Sequence, residues 1–265
     1  VRVLSWNLWW RFGPWQQRRH AILAVLRDVR ADVIGLQEVW ADRDENLAEW
    51  LADELGLEWT FEPSPAPEYW QRRIGDPTVA IGNAVLSRGP IDDREVRTLP
   101  GEDGRFALFT LTQGVPFFTT HLTAPVDASA ARCLQVKALA EFVAAKRVAS
   151  EFPPVVTGDF NAMPDSDEVR LFSGARTAPA VPGQVLVDAW EYAEPGQPWA
   201  TWDAANPYVA ETFTPSARVD YIHVGLPRSD GLGHVTAVRR AGAEPVGGVW
   251  PSDHAVVLAD LHSPA

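Results

Sequence analysis

The sequence predicts an α/β fold in one large domain, on three observations. Its 265 residues are 46% hydrophobic, enough to enclose one sizeable core. The chain opens with a strand, a helix and a second strand in succession. Apolar strand-like runs then recur to the far end, with no clean internal repeat, no low-complexity tract and no linker that would divide residues 1–265.

Residues 1–7 read as the first strand. Residues 18–30 read as a helix, because Ile22, Val25, Leu26 and Val29 repeat at helical spacing. The run from Asp32 to Glu38 is the second strand. A helix over 43–55 follows, with Leu47, Trp50, Leu51 and Leu55 on one face and Gly56 as its stop. Residues 63–78, rich in proline and aromatic groups, predict a surface loop that can face a substrate. Strands are expected at 80–87, 106–112 and 115–121, the last two joined by the Gln113-Gly114 turn. A helix over 128–148 takes Leu134, Ala138, Leu139, Phe142 and Val143 as its buried stripe. After the strand through Val155 and Val156, Asp165 and Glu168 stand at capping-box spacing before another helix. Residues 174–217 predict irregular structure, and strands over 218–224, 234–239 and 255–262 close the fold.

Composition excludes several functions. The single cysteine, Cys133, rules out an intramolecular disulfide, and its helical setting predicts packing rather than nucleophilic chemistry. A net charge of −12 opposes long-range attraction to a polyanion, which ranks extended duplex DNA below smaller or single-stranded esters. The pairs Arg18-Arg19, Arg72-Arg73 and Arg239-Arg240 are expected to be solvated faces. Most of the twelve tryptophans belong in the core, with a few at loop ends as candidates for an aromatic rim. No apolar run is long enough to span a membrane. The first residue is Val rather than Met, which leaves open a removed leader or an unusual start; the cytoplasm is the expected compartment, or the exterior if a leader was removed.

The chemistry lies where apolar strands end. Gly158-Asp159-Phe160-Asn161 delivers a carboxylate and a carboxamide two residues apart, a spacing that turns both to one side of a strand. The same residues are also good turn formers, so the motif alone does not decide. Other strands end at Asn7, Glu38 and His121, while Asp253 and His254 precede the last one. Asp220 interrupts Val219-Asp220-Tyr221-Ile222, where a buried carboxylate needs a partner, and His254 is the candidate. Together these groups supply hard oxygen ligands for Mg²⁺ or Mn²⁺, two imidazoles and an amide, without the Cys and His clustering of a zinc site.

An ordered set of motifs spans nearly the whole chain: Ser5-Trp6-Asn7, Leu36-Gln37-Glu38-Val39, Gly82-Asn83-Ala84-Val85-Leu86-Ser87-Arg88, Thr120-His121-Leu122, Gly158-Asp159-Phe160-Asn161, Arg218-Val219-Asp220-Tyr221-Ile222 and Ser252-Asp253-His254. On these residues the chain resembles the endonuclease/exonuclease/phosphatase superfamily, which has the deoxyribonuclease I-like fold. The resemblance implies a four-layer sandwich: two packed mixed β-sheets flanked by helices, with the site at one rim. It implies that Glu38 is the principal ligand of Mg²⁺ or Mn²⁺, with Asn7 and Asp253 at or near the ion. Asp159 would orient the attacking water, and Asn161 would bind a phosphate oxygen or the ion. Asp220 would hold His254 in one tautomer, His254 would act on the water or phosphoryl group, and His121 would bind phosphate or assist the leaving oxygen.

The expected activity is hydrolysis of a phosphodiester of nucleic-acid, nucleotide or phospholipid type, with nucleic acid or a lipid head group as partner and the protein a monomer. A phosphomonoesterase acting on a small or lipid-borne phosphate is the alternative. A scaffold that had lost turnover would lack a motif, and none is missing. His121 stands where exonuclease III-like enzymes usually carry Tyr, and Ala162-Met163-Pro164 departs from the Tyr and Arg that tend to follow the motif in inositol-polyphosphate phosphatases, so neither branch is favoured.

Overall fold

The apolar runs, most of them buried on both faces, form strands in two six-stranded sheets; a computed structural model describes residues 1–147 and 150–263. The strands are β1 (Arg2–Asn7), β2 (Val33–Ala41), β3 (Glu58–Pro63), β4 (Ala80–Ser87), β5 (Ile91–Thr98), β6 (Phe106–Thr112), β7 (Val115–His121), β8 (Val155–Asp159), β9 (Leu186–Asp188), β10 (Asp220–Gly225), β11 (Val235–Ala241) and β12 (Val256–Leu261). The helices are α1 (Trp15–Val29), α2 (Leu47–Leu55), α3 (Glu68–Ile74), α4 (Ser129–Lys146), α5 (Asp167–Ser173) and the single turn α6 (Pro207–Ala210). One sheet runs β11-β12-β1-β2-β4-β3 and the other β5-β6-β7-β8-β10-β9.

The two sheets pack face to face. Val3, Val33, Val85 and Val257 of the first meet Leu108, Phe117, Val155 and Ile222 of the second in one buried layer. Gly35 permits the close approach, since a Cβ there would overlap the Thr157 hydroxyl of the opposite sheet. Beside it Gln37 donates 2.8 Å across the gap to the Thr119 hydroxyl. The outer face of the first sheet is covered by α1 and α2 through Ile22, Leu26 and Leu51. That of the second is covered by α4 and α5 through Leu139, Phe142 and Phe172. This is the expected four-layer sandwich.

Each sheet contains one parallel pair, β1 with β2 and β7 with β8, and each pair is joined by a helix, α1 or α4. The two β-α-β units therefore correspond, although their sequences show no repeat. In an α/β unit the two parallel strands finish at the same edge, and here both edges form one rim of the sandwich.

Several elements differ from expectation. The strands β3 and β5 lie on sheet edges, and the charged Ile91–Thr98 stretch carries no apolar alternation to reveal it. The 63–78 segment contains α3, which buries Trp70. Leu134 on α4 is exposed, and its place on the buried face goes to Arg132, Gln135 and Val136; residue 148, the expected end of that helix, lies outside the described residues. Glu168 caps nothing: it is buried against Arg132 at 2.6 Å and the Ser129 hydroxyl at 2.7 Å, and Ser166 holds the cap position. The 174–217 stretch includes β9, a 3-10 turn at Ala189–Tyr192 and α6. Among the described residues no helix is long and apolar enough to cross a membrane.

Candidate active site

Strand ends deliver the polar groups to the shared rim. β1 stops at Asn7, whose register partner is Gln37, the neighbour of Glu38. On the other sheet His121 pairs with Asp159, and Asp159 with Asp220. Asp253 and His254 lie just before β12, which returns antiparallel beside β1. Asn7, His121, Asp159 and Asp220 thus stand at strand ends on this rim, with Asp253 and His254 just before β12, Asn161 just beyond β8 and Glu38 within β2.

Glu38 reaches the rim through a backbone irregularity. Between Leu36 and Val39 the β2–β4 ladder slips, and Glu38 adopts a left-handed φ of 53°. A bulge of this kind re-aims a side chain that regular alternation would point elsewhere. Left-handed non-glycine residues also include Trp9, Trp10 and Asn161, all beside predicted site residues. Such strain costs on the order of 1–3 kcal/mol at each position and persists where the surroundings enforce it. At Gly158 the need is steric: a Cβ would run into the Thr120 carbonyl of the neighbouring parallel strand.

Asn7 links the two sheets. Its Nδ2 donates to Glu38 Oε1 at 3.3 Å and to Asp159 Oδ2 at 3.0 Å, and its Oδ1 accepts the Trp9 N–H. His121 lies between the same carboxylates, with Nε2 3.5 Å from Asp159 and Nδ1 4.0 Å from Glu38. His254 places Nδ1 2.8 Å from Asp220 and Nε2 3.8 Å from Asp159 and 4.0 Å from Asp253. Among the described residues, Asp159, Asp220 and His254 bring ligand-type atoms within 4.8 Å of one another. Asn161 differs from the strand-based expectation. β8 ends at Asp159, so Asn161 lies beyond it, donating its N–H to Asp159 Oδ1 and its Nδ2 to the Leu122 carbonyl.

Electrostatics follow from burial. Removal from water raises the carboxyl of Glu38, lifts Asp159 to about 6 and lifts Asp253 to about 7. Burial also holds His121 well below its ordinary value, so its ring is neutral. For His254 burial acts in the same direction, but Asp220, Asp253 and Asp159 outweigh it and raise the imidazole well above its ordinary value. Two carboxylate oxygens, Glu38 Oε2 and Asp220 Oδ1, are buried without any hydrogen-bond partner. Lone pairs left this way are costly, and a hard cation would satisfy Glu38 Oε2. The donor set of carboxylates, amide and imidazole fits such an ion.

Sequence reasoning missed several residues that shape this site. Arg105 is buried beside it, its Nε on Asp103 at 2.9 Å and its guanidinium over the Trp70 ring. With Glu38, Asn83, Trp70 and His121 it lines an open cleft. Trp202 packs edge-on against His254, with ring centroids 5.0 Å apart. The Thr201 hydroxyl accepts the N–H of Val219 and Asp220, and Ser252 Oγ donates to the Asn7 carbonyl at 2.7 Å. Arg18, expected to be solvated, is buried. Its only sequence signal is an arginine at the start of an amphipathic helix, where long charged side chains usually face water.

The fold and part of the sequence are shared with known proteins. Residues 4–254 match the model of the Endonuclease/Exonuclease/phosphatase family. Among solved structures, the catalytic domain of human Nocturnin with a bound sulfate anion is similar at 21% identity and a TM-score of 0.72, over 99% of this chain and 94% of that one. Truncated Caenorhabditis elegans TDP2 is similar at 21% identity and a TM-score of 0.70, over 98% and 96%. A mannosyl-6-phosphatase of Bacteroides thetaiotaomicron is similar at 18% identity and a TM-score of 0.70, over 99% and 100%. At these identities the likeness is one of fold. No curated protein sequence matches.

Proposed function

Since the chain belongs to the Endonuclease/Exonuclease/phosphatase family, we propose that it is a divalent-metal-dependent phosphoesterase, and specifically a phosphodiesterase that hydrolyses a P–O bond by in-line attack of water. The observation that carries this reading is Glu38 Oε2, a buried carboxylate oxygen without a partner, beside Asn7 and within a set of four buried acids. Glu38 and Asp253 would hold Mg²⁺ or Mn²⁺, with Asn7 at the edge of the site. The bound ion would supply the positive charge that an anionic phosphoryl group needs as it reacts.

The protein's own groups divide the remaining work. Asp159, lifted to about 6 by burial, can accept a proton from the attacking water near neutral pH. Asn7 holds that carboxylate with its Nδ2–H, and His121 Nε2 lies 3.5 Å away on another side. His254, kept cationic and oriented by Asp220, presents Nε2 to the reacting group. Asn161 and His121 are the groups for the phosphate oxygens, and Arg105 borders the cleft that His121 lines.

Turnover of bis(p-nitrophenyl) phosphate with Mn²⁺, abolished by chelator and by Asp159→Ala, is the expected result. Equal rates for the variant and the wild type would overturn the assignment. One observation favours a second reading: a structural neighbour is named as a mannosyl-6-phosphatase. Faster hydrolysis of the p-nitrophenyl monoester under the same conditions would establish phosphomonoesterase action instead.

A further inference from the structure

Two buried arginines occupy matching places in the two β-α-β units. Arg18 is the fourth residue of α1, which follows the strand ending at Asn7, and Arg132 is the fourth residue of α4, which follows the strand ending at His121. Both turn back toward the loop between strand and helix.

Arg18 spends every donor it has on main-chain carbonyls. Nε donates to Phe12 at 3.1 Å, Nη1 to Leu8 at 2.8 Å and to Pro251 at 2.9 Å, and Nη2 to Trp9 at 2.9 Å and to Trp10 at 2.7 Å. Among the described residues no carboxylate touches it, yet the residue is only 1% exposed. A surface arginine buried for packing would bury its stem and leave its head in water. Here the planar fork is the buried part, and its five directions fit five carbonyls.

The carbonyls come from two segments far apart in sequence. Residues 8–12 run directly on from Asn7, and Trp9 and Trp10 are held in left-handed conformations, with φ of 56° and 36°, that aim their carbonyls at Arg18. Pro251 immediately precedes Ser252, whose hydroxyl binds the Asn7 carbonyl, and then Asp253. One guanidinium therefore fixes the spacing between the strand end that carries Asn7 and the turn that carries Asp253. Its charge, surrounded by carbonyls, also reaches Asp253 and Glu38.

We propose that Arg18 is a positioning residue for the oxygen cluster: it sets the distance between the Asn7 segment and the Asp253 turn, and thereby the affinity of the cluster for a divalent cation. The inference rests on the reading of Glu38 and Asp253 as the cation-holding groups. Arg132 supplies the built-in contrast. It ties Thr123, Pro125 and Val126 carbonyls and Glu168 together behind His121, and it touches neither the Asn7 segment nor the Asp253 turn.

The test is direct titration of Mn²⁺ into full-length protein, followed by electron paramagnetic resonance of the free ion, so that binding is read without turnover. Lysine has three donors at one point and cannot span five carbonyls, so Arg18→Lys keeps the charge and loses the geometry. Arg18→Lys should weaken Mn²⁺ binding about tenfold or more, and Arg132→Lys should leave it within about twofold of wild type while lowering diester turnover. Wild-type affinity in a folded Arg18→Lys overturns the proposal. So does equal weakening by both variants, or failure of Arg18→Lys alone to fold, because each would make Arg18 a general support of the fold. Wild-type protein that binds no Mn²⁺ refutes the reading of the cluster itself, a different result.

Discussion

Asp220 Oδ2 and His254 Nδ1 lie 2.8 Å apart in a pair with almost no exposure, so the imidazole has one orientation and directs Nε2 toward Asp159 and Asp253. Asp220→Asn keeps the shape and removes the charge that helps raise the imidazole. Turnover is expected to fall about 100-fold or more, the range for a misoriented acid–base group. The limb of the pH–rate profile that belongs to His254 should move to lower pH, because the imidazole would lose its proton more easily. A rate profile superimposable on wild type would show that the pair does no chemical work.

Glu38 illustrates a conflict between chemistry and stability. Its carboxyl is raised by burial, so at neutral pH the ionised form disfavours the folded state when no cation is bound. In chelator, Glu38→Gln should melt above wild type, because the amide removes a charge that burial disfavours. With excess Mg²⁺ the order should reverse, since only wild type gains stability from the ion. Calorimetry under the two conditions reads both outcomes.

His223 is buried in an aromatic box of Phe160, Phe172 and Tyr221, with neither ring nitrogen bonded. Burial lowers its imidazole to about 4 from an ordinary 6.5. The unfolded chain therefore takes up a proton that the folded chain refuses, and stability present above pH 6.5 is lost as pH falls toward about 4. The loss amounts to about 3 kcal/mol once both states are past their titration. His223→Phe should flatten that part of the urea-midpoint curve against pH, whereas an unchanged slope would place the acid sensitivity elsewhere.

Glu168 and Arg132 form an ion pair sealed from solvent, at 2.6 Å. If Glu168 were a helix cap, its replacement by alanine would cost about 1 kcal/mol. As half of a buried pair it should cost about 3–5 kcal/mol, because Arg132 is left charged and uncompensated. Denaturant unfolding of Glu168→Ala distinguishes these values.

Much of this fold was legible because its central strands are buried on both faces and read as apolar runs, and because several of those runs end on or beside a residue that chemistry can use. Asp220 shows how far the sequence reached: an acid inside an apolar strand demands a partner, and His254 is that partner. What escaped was structure without an apolar signal. The edge strand at Ile91–Thr98 is charged, and α3 hides in a proline-rich stretch although it buries Trp70. The left-handed turn at Glu38 and the departure of Asn161 from the strand were illegible for another reason, since both depend on how two ladders meet. Arg18 and Glu168 were misread because charged residues are seldom buried, and only tertiary structure shows the carbonyls or counter-ion waiting for them.

The first strand lies between β12 and β2, and the indole of Trp6 donates to the His254 carbonyl 248 positions later. On the ribosome, then, β1 must wait for β12, made about 250 residues later, before its sheet can close. At roughly 5–20 residues per second, that delay is on the order of ten seconds or more. Throughout it the candidate site is unassembled, because Asp253 and His254 join Asn7 only once the β11–β12 segment has emerged and docked.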